Sequence, residues 1–387
     1  MSDRPRVALI VEMSGVYGRQ ILEGITQYQR SHRPWSVFLE QRELRAPPPP
    51  WLLRRPWDGI ICRSTTSALA RAFLRRNIPA VDLNDLHGGL GLPRIWSDMR
   101  AIGRVGGAHL LERGFRHFAF CGFSGETWSD GRRDGFCEAV GEAGFDCAVY
   151  QSPWHGRHVP AWDKDQQRLV AWLRSLSKPL GLMACNDVRG QQVLNACHMA
   201  DVHVPEEIAV VGVDNEQVLC ELCDPPMSSV EPNPERIGYE AAALLDRLMA
   251  GEKVSASEML IPPLGVVARQ SSDITRIDDP DVAAALTFIR QNACNGASVE
   301  QVVAHVAVSR SILERRFRKH VGHSPQTEIR QVQLKRVQQL LVETDLSLEA
   351  IARLAGYVHP EYMSVVFKRL TGATPGQYRE QTRLRSR

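Results

Sequence analysis

Along the first two thirds of the chain, short apolar runs alternate with stretches whose apolar positions recur every three or four residues. Runs at 6–11, 35–39, 58–62, 78–83, 118–122, 147–150, 180–185, 208–213 and 264–267 read as strands, and the most continuous of them as strands buried on both faces. Helical spacing marks 19–30, where Ile21, Leu22, Ile25 and Tyr28 share one face, and also 67–76, 99–113, 132–143, 166–175, 188–199 and 234–249. Residues 14–18 read as a loop, and Pro47 to Pro50 as a stiff exposed segment. Strand and helix alternating at this interval predict parallel sheets covered on both sides. The pattern restarts after residue 99, so two successive α/β lobes are expected.

From Pro280 onward the period-two signal disappears and only helical spacing remains. Residues 298–320 and 347–370 form two similar units. Each opens with a Ser-x-Glu start before a short apolar-periodic helix, then breaks, then continues into a second helix with aromatic and basic residues. In the first unit Ile312, Leu313 and Phe317 are expected inside, with Arg310, Ser311, Glu314, Arg315 and Arg318 outside. In the second, Tyr362, Met363, Val366 and Phe367 supply apolar bulk, and His359, Glu361, Ser364, Val365 and Lys368 form the outer face. A single helix over 324–343 joins the units. Its length of about 20 residues spans roughly 30 Å, close to the separation of about 34 Å between major-groove segments one DNA turn apart. These are the spacings of helix-turn-helix units whose second helices enter successive major grooves.

The motifs Ala307-Val308-Ser309-Arg310, Leu313, Phe317, Gly322-His323-Ser324-Pro325, Ile351-Ala352, Ala355-Gly356-Tyr357, Phe367-Lys368-Arg369 and Thr374-Pro375-Gly376-Gln377-Tyr378-Arg379 occur in order. With them the last hundred or so residues resemble the AraC/XylS family of transcription regulators. The resemblance implies double-stranded DNA as a partner and, by family habit, RNA polymerase. Arg315 with Ser311 and Glu314 is expected at base edges from the first unit, and Glu361, Tyr362 and Val365 from the second.

Charge sharpens the division. The net charge of +3 hides 16 Lys/Arg against 9 Asp/Glu from Pro280 to the end, and 31 against 35 in the rest. The basic end is the end with the DNA-reading pattern, as phosphate neutralisation requires. Arg379, Arg383, Arg385 and Arg387 are either phosphate contacts or a solvated tail. The nine cysteines are scattered, which fits reduced thiols and a cytoplasmic setting. Cys220-x-x-Cys223 lacks a second ligand pair, so neither a metal nor a cofactor is expected. No apolar run has the roughly 18 residues of a membrane span, and the N-terminus enters its first strand directly.

Trp96-Ser97-Asp98, His109-Leu110, Gly114-Phe115-Arg116-His117, Gly135-Phe136, Ala184-Cys185-Asn186-Asp187, Val204-Pro205, Val210-Val211-Gly212-Val213-Asp214-Asn215 and Ser228-Ser229-Val230 carry a second resemblance, over residues 6–271. It is to the periplasmic-binding-protein fold as used by the LacI/GalR regulators. One difference is that no DNA-binding headpiece precedes the first strand. The expected fold is thus a two-lobed α/β periplasmic-binding-protein-like domain followed by an all-α double helix-turn-helix domain. The effector domain would cover 1–272, with lobe one at about 1–115 and 231–258 and lobe two at about 116–230 and 259–272. A linker at 273–280 would lead to the reader at 281–387.

Ligands of open parallel sheets bind beyond the carboxyl ends of the strands. That rule selects Glu12, Ser14, Asn84, Asp85, Asn186, Asp187, Asp214 and Asn215, whose short acceptors and amides suit sugar hydroxyls. Several of them are equally able to cap helices. The LacI/GalR resemblance adds Arg132 and Asp98 as ligand contacts, and Tyr17, Trp96 or Trp128 are candidates to stack on a sugar ring. The resemblance of the whole combination implies a monosaccharide effector such as D-xylose and activation of catabolic genes, and the gain in avidity at tandem sites predicts a homodimer held by the front domains. The competing class is a carbohydrate-active enzyme with a DNA module, but no activated nucleophile or acid/base pair can be placed. A non-sugar ligand in the same architecture is the other alternative.

Overall fold

The computed structural model describes residues 4–32, 34–41, 46–84, 88–155, 159–254, 257–273, 279–343 and 346–385. It divides into two compact units, Met1–Ile274 and Thr275–Arg387. Asp85 and residues 274–278 of the expected linker lie outside the described residues.

The first unit runs β1 (Arg6–Ile10), α1 (Val16–Ser31), β2 (Ser36–Leu39), β3 (Gly59–Cys62), α2 (Ser67–Arg75), β4 (Ala80–Asp82), β5 (Arg94–Ser97), α3 (Met99–Glu112), β6 (His117–Ser124), α4 (Thr127–Glu142), β7 (Cys147–Pro153) and α5 (Trp162–Ser175). It continues with β8 (Leu180–Ala184), α6 (Asp187–Met199), β9 (Ile208–Val213), α7 (Gln217–Leu222), β10 (Ser228–Glu231), α8 (Pro234–Met249), β11 (Glu258–Ile261) and β12 (Gly265–Val267). Two six-stranded sheets result, ordered β11-β5-β4-β3-β1-β2 and β12-β10-β9-β8-β6-β7. Every pairing is parallel except β10 with β12. Successive side chains of a strand point to opposite faces. Accordingly Val7, Leu9 and Val11 enter one buried cluster and Ala8 and Ile10 another. In the second lobe Ile208 and Val210 part from Ala209, Val211 and Val213 in the same way. Cys220 and Cys223 pack in the second lobe's core.

Several details differ from the sequence reading. The stretch taken as a loop at 14–18 ends early, because α1 begins at Val16. α4 begins at Thr127 rather than Arg132. β5, α7 and β11 carried no period signal strong enough to be placed as elements. β11 pairs with β5 of the first sheet, so residues 259–261 belong to lobe one, and the final crossing follows Ile261.

Glycines set the closest helix contacts. Gly24 of α1 faces the Glu235 carbonyl of α8, and Gly238 faces the Ile21 carbonyl in return. In the second lobe Gly103 of α3 faces the Arg132 carbonyl of α4, and Gly135 faces the Arg100 carbonyl. A Cβ at any of the four would overlap backbone atoms of its partner helix.

The second unit contains α9 (Pro280–Asn292), α10 (Val299–Val306), α11 (Arg310–Val321), α12 (Pro325–Glu343), α13 (Leu348–Leu354), α14 (Pro360–Thr371) and α15 (Pro375–Arg385). Ser298, Ser309 and Ser347 cap α10, α11 and α13 through their side chains. α11 and α14 both stop at a glycine with positive φ, Gly322 and Gly372, as helix ends favour. α12 serves two cores. Ile329 joins α9, α10 and α11, whereas Val337, Leu340 and Leu341 join α13 and α14. Arg379, a suggested phosphate contact, instead donates to the Leu341 and Leu346 carbonyls, at 3.4 and 2.7 Å.

Gly103→Ala should lower the thermal stability of the first unit by about 1–3 kcal/mol, since overpacking of a closed contact is relieved only by moving backbone. Gly141→Ala, on α4 with nothing within 4 Å of the new Cβ, should be neutral or slightly stabilising. Equal melting shifts for the two variants would contradict the close α3–α4 approach.

Candidate effector cleft and nucleic-acid interface

Side chains from the carboxyl ends of the strands of both sheets and from the helices that follow them meet at a cleft of about 280 Å³. From the first lobe come Glu12, Ser14, Tyr17 and Arg63. From the second come Glu126, Trp128, Arg132, Trp154, Asn186, Asp214 and Glu216, with Met99 at the start of α3 between them.

Two ion pairs line the cleft, one on each lobe. Arg63 and Glu12 pair directly with both side chains largely buried, and the Arg63 guanidinium lies 4.6 Å from the centre of the Tyr17 ring. The Tyr17 and Ser97 hydroxyls are 2.7 Å apart. Opposite, Arg132 donates to the Cys185 carbonyl at 2.6 Å and to Asp214 Oδ1 at 3.1 Å, and lies 5.1 Å from the Trp128 ring centre. Burial pushes Asp214 above the usual carboxylate range, with the guanidiniums of Arg132 and Arg63 acting against that shift. Behind it, Asp187 accepts from the Glu216 amide at 2.8 Å and from Ser229 Oγ at 2.6 Å. Burial, and then the nearby Asp214 charge, push Asp187 up to about 7. Trp128 Nε1 donates to Glu126 at 3.1 Å, and Trp154 stacks on Phe123. Charged acceptors, fixed donors and ring faces in one concave space are what a small polyhydroxylated molecule needs for binding.

Of the residues expected here, Glu12, Ser14, Tyr17, Trp128, Arg132, Asn186 and Asp214 come together. Asn186 also caps α6 by accepting from the Arg189 amide at 2.9 Å. Asn84, Asp98, Asp187 and Asn215 do not line the cleft. The Asn84 amide donates to the Thr65 carbonyl at 2.7 Å, and Asp98 caps α3 through the Ala101 amide at 2.8 Å. Trp96 is likewise outside, covered by the Arg94 guanidinium. Sequence reasoning missed Arg63, Met99, Glu126, Trp154 and Glu216. Part of the signal was available, because Arg63 directly follows β3, Trp154 directly follows β7 and Glu126 lies two residues past β6.

In the second unit α11 buries Leu313 and Phe317 and exposes Ser311, Arg315 and Arg318. Ile312, expected inside, is 36% exposed, because it shares the outward edge with Arg315. Arg310 is tied to Glu300 at 2.8 Å and to Glu314 at 3.2 Å, so its guanidinium has partners within the domain. On α14 Met363, Val366 and Phe367 face the core, and Glu361, Val365 and Lys368 face out, as does His359 just before it. Tyr362, expected as apolar bulk, is 51% exposed, with its hydroxyl 3.4 Å from Arg330. Val358 in the preceding turn is 86% exposed.

Comparison with known proteins agrees with this division. A periplasmic binding protein-like domain matches residues 108–272, and a helix-turn-helix domain matches residues 302–381. The xylose operon regulatory protein of Haemophilus influenzae is 34% identical over 382 residues, covering 97% of this chain and 98% of its own. That of Escherichia coli K12 is 33% identical over 389 residues, with 97% of each chain covered. The solved structure of the xylose-binding transcription activator xylR superposes with a TM-score of 0.79 at 32% identity over 98% of both chains. Among the described residues no helix is long and apolar enough to cross a membrane. Matched nearly end to end at this identity, the chain belongs to the family of xylose operon regulatory proteins, sugar-responsive DNA-binding transcription regulators with a periplasmic-binding-protein-like domain ahead of an AraC-type reader.

Proposed function

We propose that the effector is a pentose, D-xylose in the first instance, held between the Arg132–Asp214 pair of one lobe and the Glu12–Arg63 pair of the other. The observation that carries this reading is the placement of one carboxylate–guanidinium pair on each side of a single small cleft. A neutral sugar bridges such pairs by donating hydroxyl protons to the carboxylates and accepting from the guanidiniums. Closure of the lobes then follows from the ligand's higher affinity for the closed state. Tyr17 and Trp128 supply ring faces, and Ser14 and Asn186 further polar contacts. The names borne by the full-length relatives support both the pentose and a role as activator. In that role the reader, bound to DNA in the cytoplasm, touches RNA polymerase.

At the DNA, Arg315 with Ser311 and Glu314 meets base edges from α11, while Glu361, Tyr362 and Val365 do so from α14. Arg318, Lys368 and His359 reach the phosphates, and Arg310 orders the start of α11 through Glu300. A homodimer held by the front domains brings two readers to tandem sites, which raises avidity without new contacts.

Asp214→Asn keeps the shape of the cleft but removes the charge that accepts hydroxyl protons. A charged hydrogen bond of this kind contributes about 1.5–3 kcal/mol, so calorimetry should register about a 10- to 100-fold weaker Kd for D-xylose. Unchanged affinity would mean that Asp214 serves only Arg132 and the turn. Arg315→Ala should weaken binding to a selected site by about 1–3 kcal/mol and binding to random DNA far less, and equal losses would reduce Arg315 to a phosphate contact. In sedimentation the full chain should have the mass of a dimer at micromolar concentration, and a concentration-independent monomer with and without sugar and DNA would end the dimer reading.

A further inference from the structure

The turn that carries Asp214 is strained. Asp214 has φ +107° and Asn215 φ +47°, and a side-chain-bearing residue in such a conformation costs on the order of 1–3 kcal/mol unless its surroundings enforce it. The surroundings here are fully specified. The Asp214 amide donates to the Val230 carbonyl at 3.1 Å, the Asn215 amide to Ser229 Oγ at 3.0 Å, and the Glu216 amide to Asp187. One further restraint comes from outside the cleft. Arg269 Nη2 donates to Asn215 Oδ1 at 2.8 Å, while its Nη1 donates to the Met227 carbonyl at 3.0 Å.

Arg269 stands at the end of the effector domain, where the chain is pinned to β9 and β10. The Arg269 amide donates to Ser228 Oγ at 2.8 Å, and Ser271 Oγ donates to the Val210 carbonyl at 2.6 Å. Ser272 Oγ donates to Ser228 Oγ at 2.7 Å and lies 2.8 Å from His109 Nε2. Arg113 donates to the Ser272 carbonyl at 2.7 Å. Ser271 and Ser272 are both fully buried. The next described residues after Asp273 belong to the reader. The Arg269 side chain therefore joins the turn at the cleft directly to the root of the linker.

We propose that Arg269 is the positioning residue that couples the cleft to the linker, carrying movement of the Asp214–Asn215 turn to residues 269–272. This rests on the reading of Asp214 as an effector contact. A sugar hydroxyl that engages Asp214 competes with Arg132 for the same carboxylate and re-aims the turn. Asn215 moves with it, and the directional guanidinium–amide bond conveys the shift to a segment otherwise locked in serine hydrogen bonds. The strained turn supplies the two-state element that coupling between sites requires.

Arg269→Met retains the bulk and removes the donors. It is tested in the full chain, with D-xylose as the probe and a DNA fragment selected by the wild type from a random pool. Its Kd for D-xylose and its sugar-free DNA affinity should each stay within about threefold of wild type. The sugar-dependent change in DNA affinity, of the order of 5- to 150-fold in a coupled protein, should fall below about twofold. Arg269→Lys, which keeps the charge and one donor nitrogen in place of the fork, should restore part of it. A wild-type-sized response in Arg269→Met overturns the proposal, as does a tenfold loss of sugar affinity, which would make Arg269 a support of the pocket instead. The link is also measured without sugar. Hydrogen exchange of amides 269–273 should accelerate about tenfold in Asn215→Ala, since those amides open locally once a restraint is lost. Unchanged protection there overturns the link even where D-xylose fails to bind the wild type, an outcome that by itself removes only the pentose reading.

Discussion

The first unit depends on α3. It begins at the end of β5, in the first sheet, where Asp98 caps it, yet its body packs on α4 of the second lobe. The packing is backbone on backbone at Gly103 and Gly135. The carbonyl that Gly103 faces belongs to Arg132, one of the two cations of the cleft. The depth at which Arg132 stands is therefore set by a contact that tolerates no side chain. Met99, one residue into the same helix, lines the cleft. A helix rooted in one lobe and packed on the other fixes the cleft floor, so the lobes can change separation only by adjusting around the ends of α3 and the two later crossings.

Most of the α/β pattern was legible because strands buried on both faces leave unbroken apolar runs. The elements that escaped lack that signature for identifiable reasons. β5 starts at Arg94, a cation that is buried because it donates to the Asn84 carbonyl at 2.9 and 2.7 Å, pairs with Glu258 and covers Trp96. β11 is an edge strand that exposes Glu258, Met259 and Leu260. The first two turns of α4 carry Ser129, Asp130 and Arg133 among their side chains and have no apolar stripe. Its polar side chains bond to one another and to Gln151, a tertiary reason for a polar helix start that periodicity cannot contain.

The cleft was legible in outline because the end-of-strand rule is geometric. It selected Glu12, Ser14, Asn186 and Asp214 correctly as neighbours. It failed at Asn84, whose amide turns to the Thr65 carbonyl beside it, since a rule about backbone position says nothing of where a side chain finds its partner. Arg63 was passed over for the opposite reason. An arginine after a strand reads as a solvated side chain, whereas here the buried Glu12 carboxylate and the Tyr17 ring favour the inward direction. A charge leaves water at this depth when its partner is already in place, so each cation of the cleft is explained by the anion beside it.

The reader repeats this dependence of position on one polar group. Its two cores share α12, and at the midpoint between Ile329 and Val337 stands Gln333, 7% exposed. Its amide donates to the Ala293 carbonyl of the first half at 3.0 Å and to the Gly356 carbonyl of the second at 3.3 Å. Gly356 has φ +76°, and a Cβ there would press on the backbone of Ala293 and Cys294, so the halves meet at a point that requires glycine. An amide constrains direction as well as distance, and apolar contact alone would leave the halves free to slide. With the halves joined in this way, the recognition helices present different chemistries on one frame. α11 offers the cations Arg315 and Arg318, while α14 and its turn offer Val358, Tyr362 and Val365 in exposed positions. Guanine edges accept from guanidinium groups, and thymine presents a methyl that apolar side chains cover. On the proposed reading of these two faces, a frame that holds both before DNA arrives would lose less freedom on binding than two independent heads.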